Sequence, residues 1–171
     1  MNNINFSCPI NALSFGNVSY NMLKELHLKK ESVNLFPVGN KIDLSSFDKS
    51  TEDFKDWLRD SFDNRLINLS PSGVSLKMWH LNGSDVRVGK EQILYSFYEC
   101  DEPTKEEVNL CKMKSLNIFS SYHDESAFES KDCSNFCLLY TSPSQRDGHQ
   151  SRIPSSALKK KRGGVGGGGG G

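Results

Sequence analysis

Four short stretches of the chain hold side chains whose types and spacing could do chemistry. His80 follows an alternating apolar run and precedes Asn82 and Gly83. An imidazole there could hydrogen-bond a sugar or a phosphate, or act as a general base, although a lone histidine is more often structural. Glu99 and Asp101 stand two residues apart at the end of a second apolar run. Paired carboxylates can share acid–base work, and Asp101 can equally cap a helix that follows, which is the commoner role. Ser120 and Ser121 stand where a strand gives way to a helical pattern, and could contact a ligand or cap that helix. Gly16 and Asn17 sit in a polar loop ahead of another helical pattern. Helix amino ends attract anions, so a phosphate could dock there; an ordinary turn glycine fits the same residues. His27 lies on a lysine-rich helix face and is expected to be solvated. Cys133 and Cys137 have the spacing of a metal pair, but Cys137 falls in a segment set aside below, so no metal site is expected. Neither a G-x-G-x-x-G fingerprint nor a Walker-type phosphate loop occurs.

These stretches matter because of the elements that would carry them. Ile4, Phe6 and Cys8 alternate, as do Val74, Leu76 and Met78, which is the period of a strand with one buried face. Val33, Leu35 and Val38 make a second strand, ended by Pro37-Val38-Gly39. Ile93, Leu94, Tyr95 and Phe97 run together as buried parallel strands do, and Leu116, Ile118 and Phe119 make a fifth. Between them lie helical patterns. One covers 18–30. Another begins at Ser50 or Thr51 as cap, with Glu52 and Asp53 at the positive end of the dipole and Phe54, Trp57, Leu58 and Phe62 as an apolar stripe. A third opens on a capping box, Thr104 to Glu107, with Val108 and Cys111 facing inward. A last helix covers 121–130. Strand and helix alternate, so the expected fold class is α/β: a Rossmann-like, doubly wound, mostly parallel sheet. In such sheets ligands bind beyond the carboxyl ends of the strands, which is where all four stretches fall.

Composition divides the chain in two. Residues 1–136 hold 15 Lys and Arg against 20 Asp and Glu, a net charge of −5, whereas residues 137–171 hold 6 against 1, a net charge of +5, and 9 of the 14 glycines. Two compositions this different argue for two origins. The stretch 137–147 resembles one reading frame of a transposase-type sequencing-library adapter, departing only at Gln145. Gly148, His149 and Gln150 stand where a sample index would fall. Residues 151–157 resemble the flow-cell end of the same adapter, with Ile153 as the departure. Lys159 to Lys161 and the closing glycines then resemble an A-rich run-off and a poly-G signal. A genuine basic, glycine-rich tail is the competing reading. On the adapter reading, 137–171 is a non-native, disordered extension and function must be read from 1–136. That length suits one domain, and its acidity argues against a nucleic-acid partner. No apolar run approaches the roughly 20 residues that span a bilayer. With no signal peptide and five cysteines without paired spacing, a reducing, cytoplasmic setting is expected.

Taken together, four segments resemble the N-terminal half of retaining GT-B glycosyltransferases of family 4, also called group 1. They are INFSCPINALSFGNVSYNMLKEL near the start, SVNLFPVG at 32–39, SLKMWHLNGSDVRVG at 75–89, and LYSFYECD at 94–101 followed by MKSLNIFSSYHDESAF at 113–128. The last resembles the family's aromatic-Glu-x-Asp turn, helix, and strand ending in Ser. The usual second glycine near Gly16 is replaced by Asn17 and Val18. The resemblance implies a GT-B architecture of two Rossmann-like domains, of which 1–136 would be the acceptor-side one, incomplete. It implies a nucleotide-sugar as substrate rather than a resident cofactor, metal-independent transfer, and a sugar or lipid-linked acceptor as partner. The Gly16–Asn17 loop would face the donor phosphates. His80 and Glu99 would be catalytic on the acceptor side, where Ser120 and Ser121 would also lie. The donor-binding half is absent from the sequence, so the fragment is expected to be inactive alone. A stand-alone flavodoxin-like binding or regulatory module is the alternative, since five strands suffice for it.

Overall fold

Alternating apolar residues build the strands of this chain in a computed structural model, which describes residues 3–47, 50–85 and 88–139. The first strand, β1 (Ile4–Ile10), buries Phe6, Cys8 and Ile10 on one face. Helix α1 (Ser14–Leu28) follows and starts a full turn earlier than expected. No side chain caps it; instead Asn11 Oδ1 accepts from Leu13 N at 3.0 Å, and the Leu13 carbonyl takes Asn17 N at 2.8 Å. Gly16 therefore belongs to the helix's first turn and not to the loop before it.

Strand β2 (Val33–Ile42) runs past the Pro37-Gly39 stop expected from sequence. It lies at the sheet edge, where proline's missing N–H costs no ladder bond. Its pairing with β1 slips between Cys8↔Pro37 and Ile10↔Ile42, and Gly39 and Asn40 take positive φ at that irregularity. Helix α2 (Glu52–Asp63) is capped by Thr51, whose hydroxyl accepts from Phe54 N at 3.3 Å. Of its expected stripe, Phe54 and Leu58 are buried while Trp57 and Phe62 are half-buried. His27 is not solvated. Its side chain is 19% exposed, bonded to Asp53 at 3.1 Å and packed between Phe54 and Trp57, so it ties α1 to α2.

The second half continues with β3 (Val74–Met78), β4 (Glu91–Ser96), α3 (Lys105–Lys112), β5 (Leu116–Phe119), α4 (Tyr122–Glu129) and a sixth strand not expected from sequence, β6 (Phe136–Leu138). Thr104 and Glu107 form the expected capping box of α3. Asp101 therefore does not cap that helix; it is exposed, 3.6 Å from His123. The new strand crosses the boundary expected between residues 136 and 137, and the compact unit runs to Leu139. Among the described residues, no helix is long and apolar enough to cross a membrane.

All pairings are parallel, in the order β2-β1-β3-β4-β5-β6. This is the 2-1-3-4-5 order of flavodoxin-like sheets extended by one strand, and it reverses between β1 and β3. One face joins Phe6, Leu35 and Met78 to Leu23 of α1 and Leu58 of α2. The other joins Leu94 and Phe119 to Cys111 of α3 and Phe128 of α4. The sheet is thus doubly wound, as expected.

On that second face, near the strands' amino ends, register lines up Asn34, Asn5, Ser75 and Gln92 across four strands. All four are buried. Asn34 donates to Asn5 Oδ1 at 2.8 Å and to the Asn68 carbonyl at 3.1 Å, and Gln92 donates to the Gly89 carbonyl. The covering loops approach closely because they carry glycine. A Cβ at Gly89 would stand 2.5 Å from the Gly73 carbonyl oxygen and 2.9 Å from Ser75 Oγ. Gly89→Ala should therefore cost about 1–3 kcal/mol, the range for overpacking, read as a lower urea midpoint; an unchanged midpoint would mean the two loops do not meet.

Candidate functional site

The strand order reverses between β1 and β3, and a crevice at such a switch point is where open α/β sheets take ligands. A cavity of about 540 Å³ opens beside it, at the carboxyl ends of β3 and β4 and next to the start of α1. Its volume lies in the range of roughly 300–1,000 Å³ typical of small-molecule sites.

Aromatic rings form one wall. Phe15 leaves the first turn of α1 and meets three rings: Phe97 at 4.6 Å between centroids, His80 edge-on at 4.8 Å and Trp79 at 5.7 Å. A smaller depression of about 170 Å³, reached from Asn11 and Leu13, lies along the same three residues Phe15, Trp79 and His80. The cavity's polar groups stand mostly at its rim, where Ser14, His80, Asn82 and Glu99 are exposed.

The loop carrying His80 is anchored from beneath. Leu81 is 2% exposed in the second core. Lys77 Nζ donates to the Gly83 carbonyl and the buried Lys114 Nζ to that of Ser84. Burial lowers the Lys77 pKa, and the nearby Asp85 charge opposes that shift. Gly83 takes φ of 75°, which favours glycine and lets the chain turn sharply between the two lysines.

On the opposite side Glu107 gathers three donors on one carboxylate oxygen. These are Thr104 N at 2.8 Å, Thr104 Oγ1 at 3.0 Å and the Tyr98 hydroxyl at 3.2 Å. Burial first, and the neighbouring Glu107 charge second, hold the Tyr98 phenol well above its usual pKa. Sequence reading had given Glu107 only its capping role. It also lines the cavity, a second role that no local pattern reveals.

Of the six residues singled out from sequence, the structure brings two together. His80 and Glu99 line the same cavity. Gly16 is buried in α1, pressed against Asn11, and Asn17 is exposed with its carbonyl accepting from the Asn21 side chain. Ser14 and Phe15 are the residues of this turn that reach the cavity. Ser120 and Ser121 organise the start of α4: Ser121 Oγ accepts from Asp124 N at 3.2 Å, and Ser120 donates to the buried Asp124 carboxylate. Their geometry is that of capping, and neither lines the cavity. Cys133 is buried in the second core while Cys137 is exposed. Phe15, Trp79, Phe97 and Ser96 were missed, although Trp79 and Phe97 each stand directly beyond a strand end.

Fold and cavity together define a doubly wound α/β domain with a ligand-sized cleft at its topological switch. Neither models of protein families, nor curated proteins, nor solved structures match this chain.

Two outcomes check the geometry around α1. A Cβ at Gly16 would stand 2.3–2.6 Å from three Asn11 atoms, two of them backbone. Gly16→Ala should push the helix start away and cost about 1–3 kcal/mol, seen as a lowered melting temperature together with altered Trp79 fluorescence. Unchanged fluorescence would separate Phe15 from the cavity wall. Burial also pushes the Cys8 thiol from its ordinary 9.0 up to about 12, against the opposing effect of the Ser19 hydroxyl. A thiol pKa raised on folding stabilises the folded state below the ordinary value, and that contribution is lost as pH climbs from 9 towards 12. In the native protein at pH 8 a thiol reagent should modify the exposed Cys100 and Cys137 first, sparing Cys8, Cys111 and Cys133. Prompt reaction of all five would contradict this burial.

Proposed function

We propose that residues 1–136 are the acceptor-side half of a sugar transferase that uses a nucleotide-sugar donor. The observation that carries this is the joint cavity. The segments that resemble family 4 glycosyltransferases place His80, Glu99 and an aromatic wall around one cleft at the sheet's switch point. In this reading Glu99 and His80 act on the acceptor hydroxyl, one accepting its proton and the other orienting it. The donor would be held by a second domain, so this piece alone turns nothing over. The transfer needs no resident cofactor or metal, and the setting is cytoplasmic.

A second feature supports incompleteness. Parallel sheets are normally covered on both faces. On the face where α1 packs on β1 and α2 on β2, Ile4, Val74, Leu76, Ile93 and Ile118 line an open apolar depression of about 360 Å³. Further structure of the intact enzyme would cover it. Residues 137–171 are then translated adapter sequence, and β6 marks where a native strand would run on from Phe136.

The strand order favours one competing reading. The 2-1-3-4-5 arrangement also suits a stand-alone flavodoxin-like binding or regulatory module. Re-amplifying the locus separates the two. For the transferase, the open frame should continue past the Phe136 codon for about 200 residues, one or two more domains, and its product should consume a nucleotide-sugar while the 171-residue chain does not. A native stop codon near residue 136, or turnover by residues 1–136 alone, would overturn it. In the longer enzyme Glu99→Gln and His80→Ala should each lower kcat/KM by about 10²–10⁴; rates within twofold of the parent would remove these residues from the chemistry.

A further inference from the structure

Beyond α4 the chain turns sharply at Asp132, which takes φ of 59°. The N–H groups of Asp132 and Cys133 close back on the Glu129 and Phe128 carbonyls at 3.1 and 3.3 Å. Such bonds end a helix on a left-handed residue and bring the next side chain back against the helix's apolar side. Cys133 is thereby buried in the core that also holds Phe128 and Cys111. Its Sγ stands 4.0 Å from the Val108 carbonyl, three residues before Cys111 on α3. The Cys133 and Cys111 thiols are in hydrogen-bonding contact with each other. Sequence spacing offers Cys133 and Cys137 as a pair; the fold gives Cys133 a different partner.

Two thiols in contact can share a metal ion or form a disulfide. A protein metal site needs further ligands, and among the described residues no three of His, Cys, Asp and Glu stand together. A disulfide needs only the second sulfur. The backbone on both sides of the pair is already held. Asn135 Nδ2 donates to the Cys111 and Lys114 carbonyls at 2.9 and 2.5 Å, and Lys131 Nζ meets Glu102 at 3.0 Å. Burial first, and the neighbouring Cys133 sulfur second, push the Cys111 thiol above its ordinary pKa. The reactive thiolate is therefore scarce while the core is closed. Oxidation is fast only when the segment after α4 is open, as it is during folding.

We infer that Cys111 and Cys133 are a reversible modification site, a disulfide that staples α3 to the segment leading into β6 under oxidising conditions. The oxidant is a small disulfide such as oxidised glutathione. One cysteine thiolate attacks a glutathione sulfur and expels a glutathione thiolate, leaving a mixed disulfide. The second cysteine attacks the protein sulfur of that bond and expels the other glutathione thiolate. The two cysteine protons end on the two glutathiones, so the protein loses two electrons and the glutathione disulfide gains them. At a reducing poise both thiols persist. The staple acts at two places. It retains β6, an edge strand of 3 residues. It also fixes α3, where Glu107, one turn before Cys111, bonds Tyr98 at the cavity. The site stands whether or not the transferase reading does.

The test uses the 171-residue chain, unfolded in urea and refolded in a buffer of oxidised and reduced glutathione, so that burial does not limit the reaction. Free thiols are then alkylated and the peptides mapped without reduction. Cys111 and Cys133 should be joined, while Cys8, equally buried, stays free. The joined form should melt about 5–12 °C above the chain kept in a phosphine reductant, and adding the reductant should abolish the difference. A Cys100→Ser/Cys137→Ser chain should form the same link, which excludes exchange through the exposed thiols. The link should also form, more slowly, in folded chain left in the same buffer, so the reading does not rest on refolding alone. Cys111 and Cys133 recovered alkylated or as separate glutathione adducts, either of them joined to another cysteine, or a joined form that melts lower would each overturn the proposal. Failure of the transferase reading would instead show as absent nucleotide-sugar turnover in the longer protein, with the disulfide intact.

Discussion

The close approach of α1 to residue 11 is the contact on which the rest of the site depends. Gly16 has no side chain, so the helix's first turn can lie directly against Asn11. Asn11 in turn satisfies the amide of Leu13 and stands in for the missing cap. With the helix held this low, Phe15 comes down onto the carboxyl ends of the strands and meets Trp79, His80 and Phe97. Further back on the same helix, Ser19 bonds the Phe15 carbonyl and Met78 Sδ, which fixes α1 to β3. The cavity wall is therefore a consequence of backbone packing at one glycine more than of any aromatic residue's own preference.

The two sheet faces solve different problems. One is apolar and gains from burial in proportion to the area removed from water. The other carries a buried row of amides and hydroxyls near the strand amino ends, where each polar group costs stability unless bonded. Asn34 Nδ2 meets Asn5 Oδ1 in the observed register, and a one-residue slip would turn the two side chains to opposite faces. Asn5 Nδ2 and Ser75 Oγ have no hydrogen-bond partner among the described residues, and both residues border a space of about 30 Å³. That is room enough for a water molecule, and polar walls are what such a water requires.

Local chemistry made much of this fold legible in sequence. The alternation of Val74, Leu76 and Met78 and the box at Thr104 and Glu107 each involve residues only two or three apart, and both stand in the structure. What sequence misplaced depends on distant partners. Pro37 read as a strand stop because proline cannot sit in a central strand, but β2 is an edge strand and continues to Ile42. Gly16 read as a loop residue because nothing nearby caps α1. His27 read as solvated because its partners, Asp53, Phe54 and Trp57, belong to another helix. His80 and Glu99 were legible as cavity residues because the rule that places ligands at strand carboxyl ends needs only the strand boundaries.

The electrostatics of the cleft constrain any chemistry proposed for it. Transfer from a nucleotide-sugar places a diphosphate leaving group next to the acceptor, and its developing charge must be met by cations or oriented N–H groups. The described lining supplies two carboxylates, an imidazole and one helix amino end. Such a set can bind and deprotonate a hydroxyl, but it would repel a diphosphate more than hold it. On the transferase reading proposed above, positive groups to hold it would come from outside the described lining. An acidic and aromatic wall here would, on that reading, keep an anionic donor away from the acceptor position. On the proposed reading this suits the acceptor half of a two-domain transferase, since among the described lining residues no lysine or arginine neutralises Glu99 and Glu107.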